Sequence, residues 1–234
     1  MKCYAVGGSV RDMLLGRPAA DRDFVVFGAT VEEFLAAHPG TVTVGGKNPV
    51  HLFQGDQYTL SLHPDLKSDL ASRDLTINAL ALDEDDRIVA HSLALDDLDK
   101  KILRPVSEAN FLADPVRAVR AARFSAQFPD FDLHQDTLWA MRSVAGKGLL
   151  ESIAAERVGQ EVLKSLATPE PGRFVRVLEQ GNCLEPWLTE LDGARSIPAG
   201  PRPRHDESLL EHTARVMDRL AGDPLSVWMG LCHD

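Results

Sequence analysis

Hydrophobic and polar positions change their spacing part-way along this chain of 234 residues. The first hundred or so residues hold short runs of β-branched and aromatic residues, bounded by Gly, Pro and Asp, which is the pattern of strands and turns. We predict strands over residues 3–6, 23–27, 41–44, 51–53, 58–62 and 88–91. Helices are expected over 10–15 and 31–37, the second with Thr30 as its N-cap. Residues 72–82 fit a helix or a strand equally.

From about residue 110 the apolar positions recur every three to four residues, which indicates amphipathic helices. The predicted helices cover residues 115–128, 135–144, 154–166, 172–180 and 208–220. The proline-rich stretch 198–203 predicts a stiff, extended linker. Together the two patterns predict an α+β protein, in which an N-terminal mixed sheet with flanking helices precedes an all-helical part.

A Gly-Gly pair separates the first predicted strand from the first predicted helix. Gly7 and Gly8 follow the apolar run 3–6, and Arg11 comes three residues after Gly8. Such a turn brings backbone N–H groups close to an anion, and the missing Cβ atoms permit that approach. Arg11 adds a planar cation suited to phosphate. The motif predicts a phosphate-binding turn, with an ordinary tight turn and a surface Arg11 as the alternative.

Two aspartates separated by one residue lead into the second predicted strand. Asp21 and Asp23 are expected to share a face, because side chains two positions apart on a strand do so. Paired carboxylates repel unless a cation neutralises them, and Mg²⁺ prefers a few carboxylates plus substrate phosphates. A solvated loop balanced by Arg22 is the alternative. In sequence with the glycine turn, the pair favours nucleotidyl transfer at a two-metal site.

The composition is that of a globular protein, 44% hydrophobic and 26% charged. No run approaches the eighteen or so apolar residues of a membrane span, and the N-terminus lacks the apolar core of a signal peptide. Scattered cysteines at Cys3, Cys183 and Cys232 favour a reducing compartment, and we expect the cytoplasm. The net charge of −10 argues weakly against an RNA partner, although Lys and Arg cluster within residues 100–123.

Four ordered motifs resemble the class II branch of the DNA polymerase β nucleotidyltransferase superfamily, which holds bacterial CCA-adding tRNA nucleotidyltransferases and poly(A) polymerases. The Gly-Gly-x-Val-Arg-Asp motif of the family matches residues 7–12, and its Asp-x-Asp matches residues 21–23. Its Arg-Arg-Asp-x-Thr-x-Asn-Ala matches residues 72–79, with Ser72 in place of the first arginine. Its Glu-Asp-x-x-Arg matches residues 113–117, and a later Glu-Arg-Val matches residues 156–158. The resemblance covers nearly the whole chain.

The resemblance implies a catalytic head over residues 1–108, a helical neck that binds the nucleotide base and RNA over 109–197, and a linker with the start of a truncated, HD-like body over 198–234. It implies that Asp21 and Asp23 are catalytic and hold two Mg²⁺ ions. The nucleotide-binding residues that it implies are Gly7, Gly8, Arg11, Arg73, Asp74, Asn78, Asp114, Arg117, Arg120 and Arg123.

Several of these residues have a second interpretation. Asp114 and Arg117 are expected to read the edge of the incoming base, but an Asp before Pro is also the pattern of a helix N-cap. Arg120 and Arg123 are expected on the triphosphate or a tRNA phosphate, or else on a solvated basic face. Asp74 is expected near the ribose, or as a cap.

Arg73 is expected on phosphate. Glu156 and Arg157 are expected to orient the base-reading helix, with a surface ion pair as the alternative.

The chain departs from the family pattern at three positions. A third acidic residue would align with Gln57, an arginine with Leu62, and a glutamate with Ala113. Asp56 has the wrong strand parity to replace the missing acid, and Asp65 is the other candidate. The loop before Arg73, which the family uses in switching from CTP to ATP, also looks short. These departures put the rate, and above all the final A addition, in question.

The expected activity is metal-dependent, template-independent addition of CCA from CTP and ATP to tRNA 3′ ends, with no membrane partner. Poly(A) synthesis, a CC- or A-adding variant and a catalytically weak RNA-binding relic are the alternatives. His212, His233 and Asp234 resemble a His…His-Asp metal pattern of some members. That pattern requires a further ligand, which the sequence up to Asp234 does not supply. A phosphohydrolase arm beyond Asp234 is a further possibility, and the sequence does not define an oligomeric state.

Overall fold

The computed structural model describes residues 1–18, 22–46, 49–200 and 207–234. The chain divides into two compact units, Met1–Lys100 and Lys101–Asp234. The three-part division into head, neck and body stays a prediction. Asp21 and residues 201–206, which include part of the expected linker, lie outside the described residues.

The described part of the first unit is built on a mixed sheet of seven strands. They are β1 (Lys2–Val6), β2 (Asp23–Phe27), β3 (Val42–Val44), β4 (Val50–Phe53), β5 (Asp56–Leu60), β6 (Leu80–Leu82) and β7 (Ile88–Ala90). Their order across the sheet is β3-β4-β5-β2-β1-β6-β7. β2 and β5 run parallel, and the other described neighbours run antiparallel. The six predicted strands are all present within two residues at each end, and the ambiguous segment supplies β6.

Four helices belong to the described part of this unit: α1 (Gly8–Leu14), α2 (Val31–Ala37), α3 (Leu66–Ala71) and α4 (Ala94–Asp99). Thr30 caps α2 as predicted, because its hydroxyl accepts the Glu33 N–H at 3.2 Å while the Glu33 carboxylate accepts the Thr30 N–H at 2.8 Å. A 3₁₀ turn over Thr76–Asn78 precedes β6. α3 and α4 were not predicted, since six residues show too few positions for a helical period.

The two faces of the sheet differ in what covers them near β2 and β5. Phe24 and Tyr58 stack at 4.9 Å between ring centroids, and the fully buried Phe34 of α2 packs 5.4 Å from Tyr58. Asp23 and Gln57 each precede one of these aromatic residues, so they point to the opposite face. The hydrophobic contact with α2 therefore fixes the face of the sheet on which Asp23 lies.

The second unit is helical. Its described helices are α5 (Glu108–Ala113), α6 (Val116–Gln127), α7 (Gln135–Gly146), α8 (Ala155–Leu166), α9 (Pro171–Gln180), α10 (Thr189–Ala194), α11 (Leu209–Arg219) and α12 (Pro224–Leu231). A short parallel pair joins β8 (Ile102–Leu103) to β9 (Asp132–Leu133). All five predicted helices are present. α5 and α10 were missed because they are short, and α12 because its sequence is apolar on nearly every side.

The helices of the second unit pack closely around α6 and α9. α6 packs on α8 and α9, and α9 packs on α11. Phe111, Phe128 and Phe174 are at most 1% exposed and lie in this core. A Cβ at Gly172 would lie 2.0 Å from the carbonyl oxygen of Ala214, so the α9–α11 contact requires glycine there.

The predicted fold class is confirmed: an α+β part with a mixed sheet is followed by a helical part. None of the helices in the described ranges is long and apolar enough to cross a membrane.

Candidate active site

The Gly7-Gly8 turn connects β1 to α1 and is bordered by two arginine side chains. Gly7 has φ +71°, and its N–H donates to the carbonyl oxygen of Leu80 at 2.9 Å. A Cβ at Gly7 would lie 3.0 Å from Nη1 of Arg73, and one at Gly8 would lie 3.3 Å from Nη2 of Arg11. Two guanidinium groups thus approach the turn where glycine leaves space. Planar cations beside a turn without Cβ atoms suit a phosphate group.

Arg11 is held by a continuous hydrogen-bond network. Its Nε and Nη2 each donate to Asp12 at 2.9 Å, and its Nη1 donates to the Asn78 side-chain oxygen at 2.5 Å. The Asn78 amide in turn donates to Asp74 at 3.0 Å, and Asp74 also accepts the Leu75 N–H at 2.8 Å. Arg11 is only 4% exposed, so the alternative of a surface Arg11 is wrong. Asp74 therefore bonds the residue before the 3₁₀ turn and the side chain of its last residue, but Leu75 is the N-cap and no side chain caps the turn, so the capping interpretation of Asp74 is wrong.

Asp23 lies directly beside the glycine turn in the sheet. It pairs across the antiparallel ladder with Val6, the residue before Gly7, and across the parallel ladder with Gln57. Paired residues share a face of the sheet, so Asp23 and Gln57 are neighbours on that face. The Asp23 side chain is exposed. Asp21, its expected partner, lies outside the described residues, so their convergence stays a prediction.

Asp56 on β5 is another carboxylate close to Asp23 in the sheet, but it lies on the opposite face from Asp23. Arg22 donates to both of its oxygens, at 3.0 and 2.8 Å, and lies 5.5 Å from the Phe24 ring. The expectation that Asp56 has the wrong parity is therefore confirmed. Asp65 is also engaged elsewhere, since it caps α3 by accepting the Ser68 N–H at 2.8 Å. Asp23 and Gln57 thus bring a carboxylate and an amide to the same face, and oxygen donors of this kind fit Mg²⁺.

Asp114 lies between α5 and α6, where the sequence suggested an N-cap. That expectation is wrong: α6 begins at Val116 with Pro115 at the cap position and no side-chain capping bond. Both oxygens of Asp114 instead accept hydrogen bonds from Arg157, at 2.8 and 2.9 Å. A bidentate bond between charged groups is stronger than a cap to a neutral N–H. It raises the pKa of Arg157 above its ordinary value, and Arg117 Nε lies 3.8 Å from the same carboxylate.

Arg120 and Arg123 share one acidic partner on α8. Arg123 Nε donates to Glu161, its Nη1 donates to Gln127 at 2.6 Å, and Arg120 Nη1 lies 3.4 Å from Glu161. Arg123 is 7% exposed, so a solvated basic face is the wrong description of this residue. Arg120 keeps more of its side chain exposed. The two arginines therefore differ: Arg123 ties α6 to α8, and Arg120 still reaches solvent.

Three residues near the end of the chain come together, as the sequence pattern suggested. One donor atom from each of His212, His233 and Asp234 lies within 4.8 Å of the others. The Asp234 carboxylate is 2.9 Å from Nε2 of His233 and 3.6 Å from Nε2 of His212. Two imidazoles and a carboxylate are ligands that a transition metal accepts.

The comparisons with known proteins agree with these motifs. Residues 3–52 match the poly A polymerase head domain, and residues 130–194 match a probable RNA- and SrmB-binding site of polymerase A. The multifunctional CCA proteins of Aromatoleum aromaticum and Dechloromonas aromatica are 39% and 41% identical to this chain over its whole length. This chain is thus similar, in two segments and along its whole length, to bacterial poly(A) polymerases and CCA-adding proteins. It spans 62% of the length of each of these two relatives.

Solved structures of the family share the fold. The Bacillus stearothermophilus CCA-adding enzyme in complex with CTP matches with a TM-score of 0.72 and 33% identity, over 82% of this chain and 51% of that one. The Thermotoga maritima CCA-adding enzyme complexed with tRNA matches with a TM-score of 0.71 over 98% of this chain and 58% of that one. Its identity is 24%, so this second likeness supports the fold alone.

The departures from the family pattern can now be located. Gln57 pairs with Asp23 in the parallel ladder, at the position where the family pattern has its third acidic residue. Leu62 follows β5 and is 88% exposed, an unusual setting for leucine at a position where the family carries arginine. Ala113 ends α5 and brings no carboxylate to the start of α6. Of the three changes, Gln57 thus lies beside Asp23, Leu62 lies past the other end of β5, and none lies in the glycine turn.

Two site residues were not singled out from the sequence. Asp12 binds Arg11, and Asp69 binds Arg73. The spacing of Asp69 and Arg73 could have indicated their contact, because an acid four residues before an arginine is the spacing of a helical ion pair. The pair was missed because α3 was not predicted.

Proposed function

We propose that this chain forms the catalytic part of a template-independent RNA nucleotidyltransferase that adds CMP and AMP units from CTP and ATP to tRNA 3′ ends. The observation that carries the proposal is the position of Asp23, whose ladder partner Val6 directly precedes the glycine turn bordered by Arg11 and Arg73. A triphosphate on that turn would have its α-phosphate close to the acidic motif. The similarity to a multifunctional CCA protein and to the poly A polymerase head domain supports the same activity.

In the proposed reaction, the RNA 3′-hydroxyl oxygen forms a bond to the α-phosphorus of the nucleotide. The bond from the α-phosphorus to the bridging oxygen breaks, pyrophosphate leaves with that electron pair, and the proton of the hydroxyl passes to solvent. Asp21 and Asp23 would hold two Mg²⁺ ions, which acidify the hydroxyl and neutralise the departing charge. Arg11 and Arg73 bind the β- and γ-phosphates, and the bonds from Arg11 to Asp12 fix the orientation of Arg11.

Base selection is assigned to the start of α6. Asp114 accepts from an exocyclic amine, and Arg117 donates to a ring nitrogen or carbonyl oxygen of the incoming base. The bond from Arg157 to Asp114 supports this role, because it fixes the carboxylate. Arg120 is proposed on a phosphate of the nucleotide or of tRNA. Arg123 is proposed to act through α6, since Glu161 already holds it.

The remaining assignments follow from the same proposal. Residues 1–108 are the catalytic head, 109–197 the neck, and 198–234 the linker with the start of the body. Asp74 and Asn78 support the nucleotide through their network with Arg11. The expected compartment is the cytoplasm.

A catalytically weak RNA-binding protein is the second candidate. The observation that favours it is Gln57 beside Asp23, because the family's third acid would strengthen metal binding at that position. Nucleotide binding would survive in such a protein, since the glycine turn and its arginines are intact.

The test is extension of a tRNA transcript that lacks its CCA end, with Mg²⁺ and CTP, ATP or both, resolved at single nucleotides. Addition that stops after CCA supports the proposal. Addition of CC alone assigns a CC-adding enzyme, and a long A tract assigns a poly(A) polymerase. No extension by a protein that still binds CTP or tRNA favours the second candidate.

A further inference from the structure

Arg73 is clamped along one edge by an acid that the proposed function leaves without a role. Asp69 on α3 is 8% exposed, and one of its oxygens accepts from Arg73 Nη2 at 2.8 Å and from Nε at 3.2 Å. Its other oxygen is 3.3 Å from the hydroxyl of Ser61, which donates to it. The carboxylate is thereby fixed from both sides.

This clamp sets where the rest of the guanidinium points. The group is planar, so two bonds at the Nε and Nη2 edge define the position of the third nitrogen. That nitrogen, Nη1, is the one that lies 3.0 Å from the position of a Cβ at Gly7. Asp69 therefore determines the distance between the Arg73 cation and the glycine turn.

We propose that Asp69 is a positioning residue for the nucleotide triphosphate, acting through Arg73. The inference rests on the proposed function, because it takes the Gly7 turn as the phosphate site. An arginine that is fixed before the ligand arrives loses less conformational entropy on binding. Asp69 itself does not touch the nucleotide, since its negative charge would repel phosphate.

The test is a double-mutant cycle on ligand affinity, with Asp69→Asn, Arg73→Ala and the double variant. The ligands are CTP and inorganic tripolyphosphate, measured by equilibrium binding in the presence of Mg²⁺. Asp69→Asn should weaken both ligands by roughly ten- to thirty-fold, the size of a lost charge-assisted contact. In the double variant the affinity should stay within about three-fold of Arg73→Ala alone, because the two residues act as one unit.

Asp65→Asn is the matched control, since it makes the same substitution on the same helix. Asp65 caps α3 and its carboxylate bonds Ser68 instead of Arg73. It should lower the melting temperature slightly and leave both affinities unchanged. Equal loss of affinity in Asp65→Asn and Asp69→Asn would mean that α3 stability alone matters, and would overturn the proposal. Independent losses that multiply in the double variant would overturn it too.

If Asp69→Asn does not fold, Ser61→Ala decides the question. A loss of about two- to five-fold in tripolyphosphate affinity supports the clamp, and an unchanged affinity contradicts it. The binding cycle does not depend on transfer. A wild-type chain that binds CTP yet extends no RNA leaves the cycle readable and overturns the transfer proposal alone, whereas a chain that binds neither ligand overturns both.

Discussion

The glycine turn and Asp23 of the acidic motif are neighbours in the first unit, but the charged side chains at these two places have different partners. At the turn, each arginine has its own acid: Asp12 holds Arg11, and Asp69 holds Arg73. At the acidic motif, Asp23 has the neutral Gln57 as its parallel neighbour. The proposed function therefore assigns phosphate binding and metal binding to different residues. It predicts that nucleotide affinity and transfer rate can be changed separately in this chain.

The largest expected effect comes from removing the acidic motif. Asp21→Ala with Asp23→Ala should lower nucleotide incorporation more than about a thousand-fold, because both carboxylates that are proposed to hold Mg²⁺ are removed. CTP affinity measured with EDTA should change less than about three-fold, since the arginines are untouched. Single-nucleotide extension and equilibrium binding check the two results.

Asp56→Asn is the control for this pair of substitutions. It removes a nearby carboxylate, but one that binds Arg22 on the other face of the sheet. Extension by this variant should stay within a few-fold of the wild type. A loss as large as that of the double Asp variant would show that strand position does not assign the metal ligands.

The glycine turn offers a second test, with a smaller expected effect. Gly7→Ala should weaken CTP binding roughly ten- to a hundred-fold, because the new Cβ would lie 3.0 Å from Arg73 Nη1 and displace it. Gly28→Ala is a matched control, since Gly28 has φ +69° and nothing within 4 Å of its added Cβ. Gly7 has ψ −130°, outside the left-handed helical region, so Gly7→Ala should also lose more stability than Gly28→Ala. Equal CTP affinities of the two folded variants would contradict the account.

The second unit extends the comparison to base selection. Arg157→Met should reduce the preference for CTP and ATP over GTP and UTP by about ten-fold, because Asp114 loses the bonds that fix both its oxygens. The preference is measured as the ratio of incorporation efficiencies on one RNA. Arg195→Met removes a surface pair with Glu179 at 3.6 Å and should leave the ratio unchanged.

The smallest expected effect is a gain. Gln57→Glu should lower the Mg²⁺ concentration for half-maximal incorporation by roughly three- to ten-fold, because it adds a carboxylate beside Asp23. Thr59→Glu adds the same charge on the same face, but two residues further along β5, where Thr59 pairs with Val25. It should have little effect. A Mg²⁺ requirement that stays the same in both variants would mean that Gln57 is not what limits metal binding.

The sequence predicted the fold well where a local pattern reports burial. The run of β-branched and aromatic residues after Asp23 and the three-four spacing of α6 are examples, and both elements were predicted within one residue of their bounds. Short helices such as α3 carry too few positions for such a pattern. α12 was missed for a different reason, since a nearly uniform apolar sequence has no polar face to reveal its period.

The candidate site shows the same division. Motif residues such as Gly7 and Arg11 were identified, because their chemistry is legible in order along the chain. Their partners depend on tertiary structure: Glu161 lies 38 residues from Arg123, and Asn78 lies 67 residues from Arg11. The Asp114 cap was a wrong prediction for that reason. Local geometry favoured a cap, but Arg157, 43 residues away, binds the carboxylate instead.

The central claim is that the glycine turn and the acidic motif together transfer a nucleotide to RNA. The most direct measurement counts CMP incorporated into a tRNA lacking its CCA end against pyrophosphate released, in the same reaction with CTP and Mg²⁺. The account predicts one pyrophosphate for each CMP added, and neither product with the double Asp variant. CTP bound at the turn with neither CMP incorporated nor pyrophosphate released by the wild-type chain would contradict it.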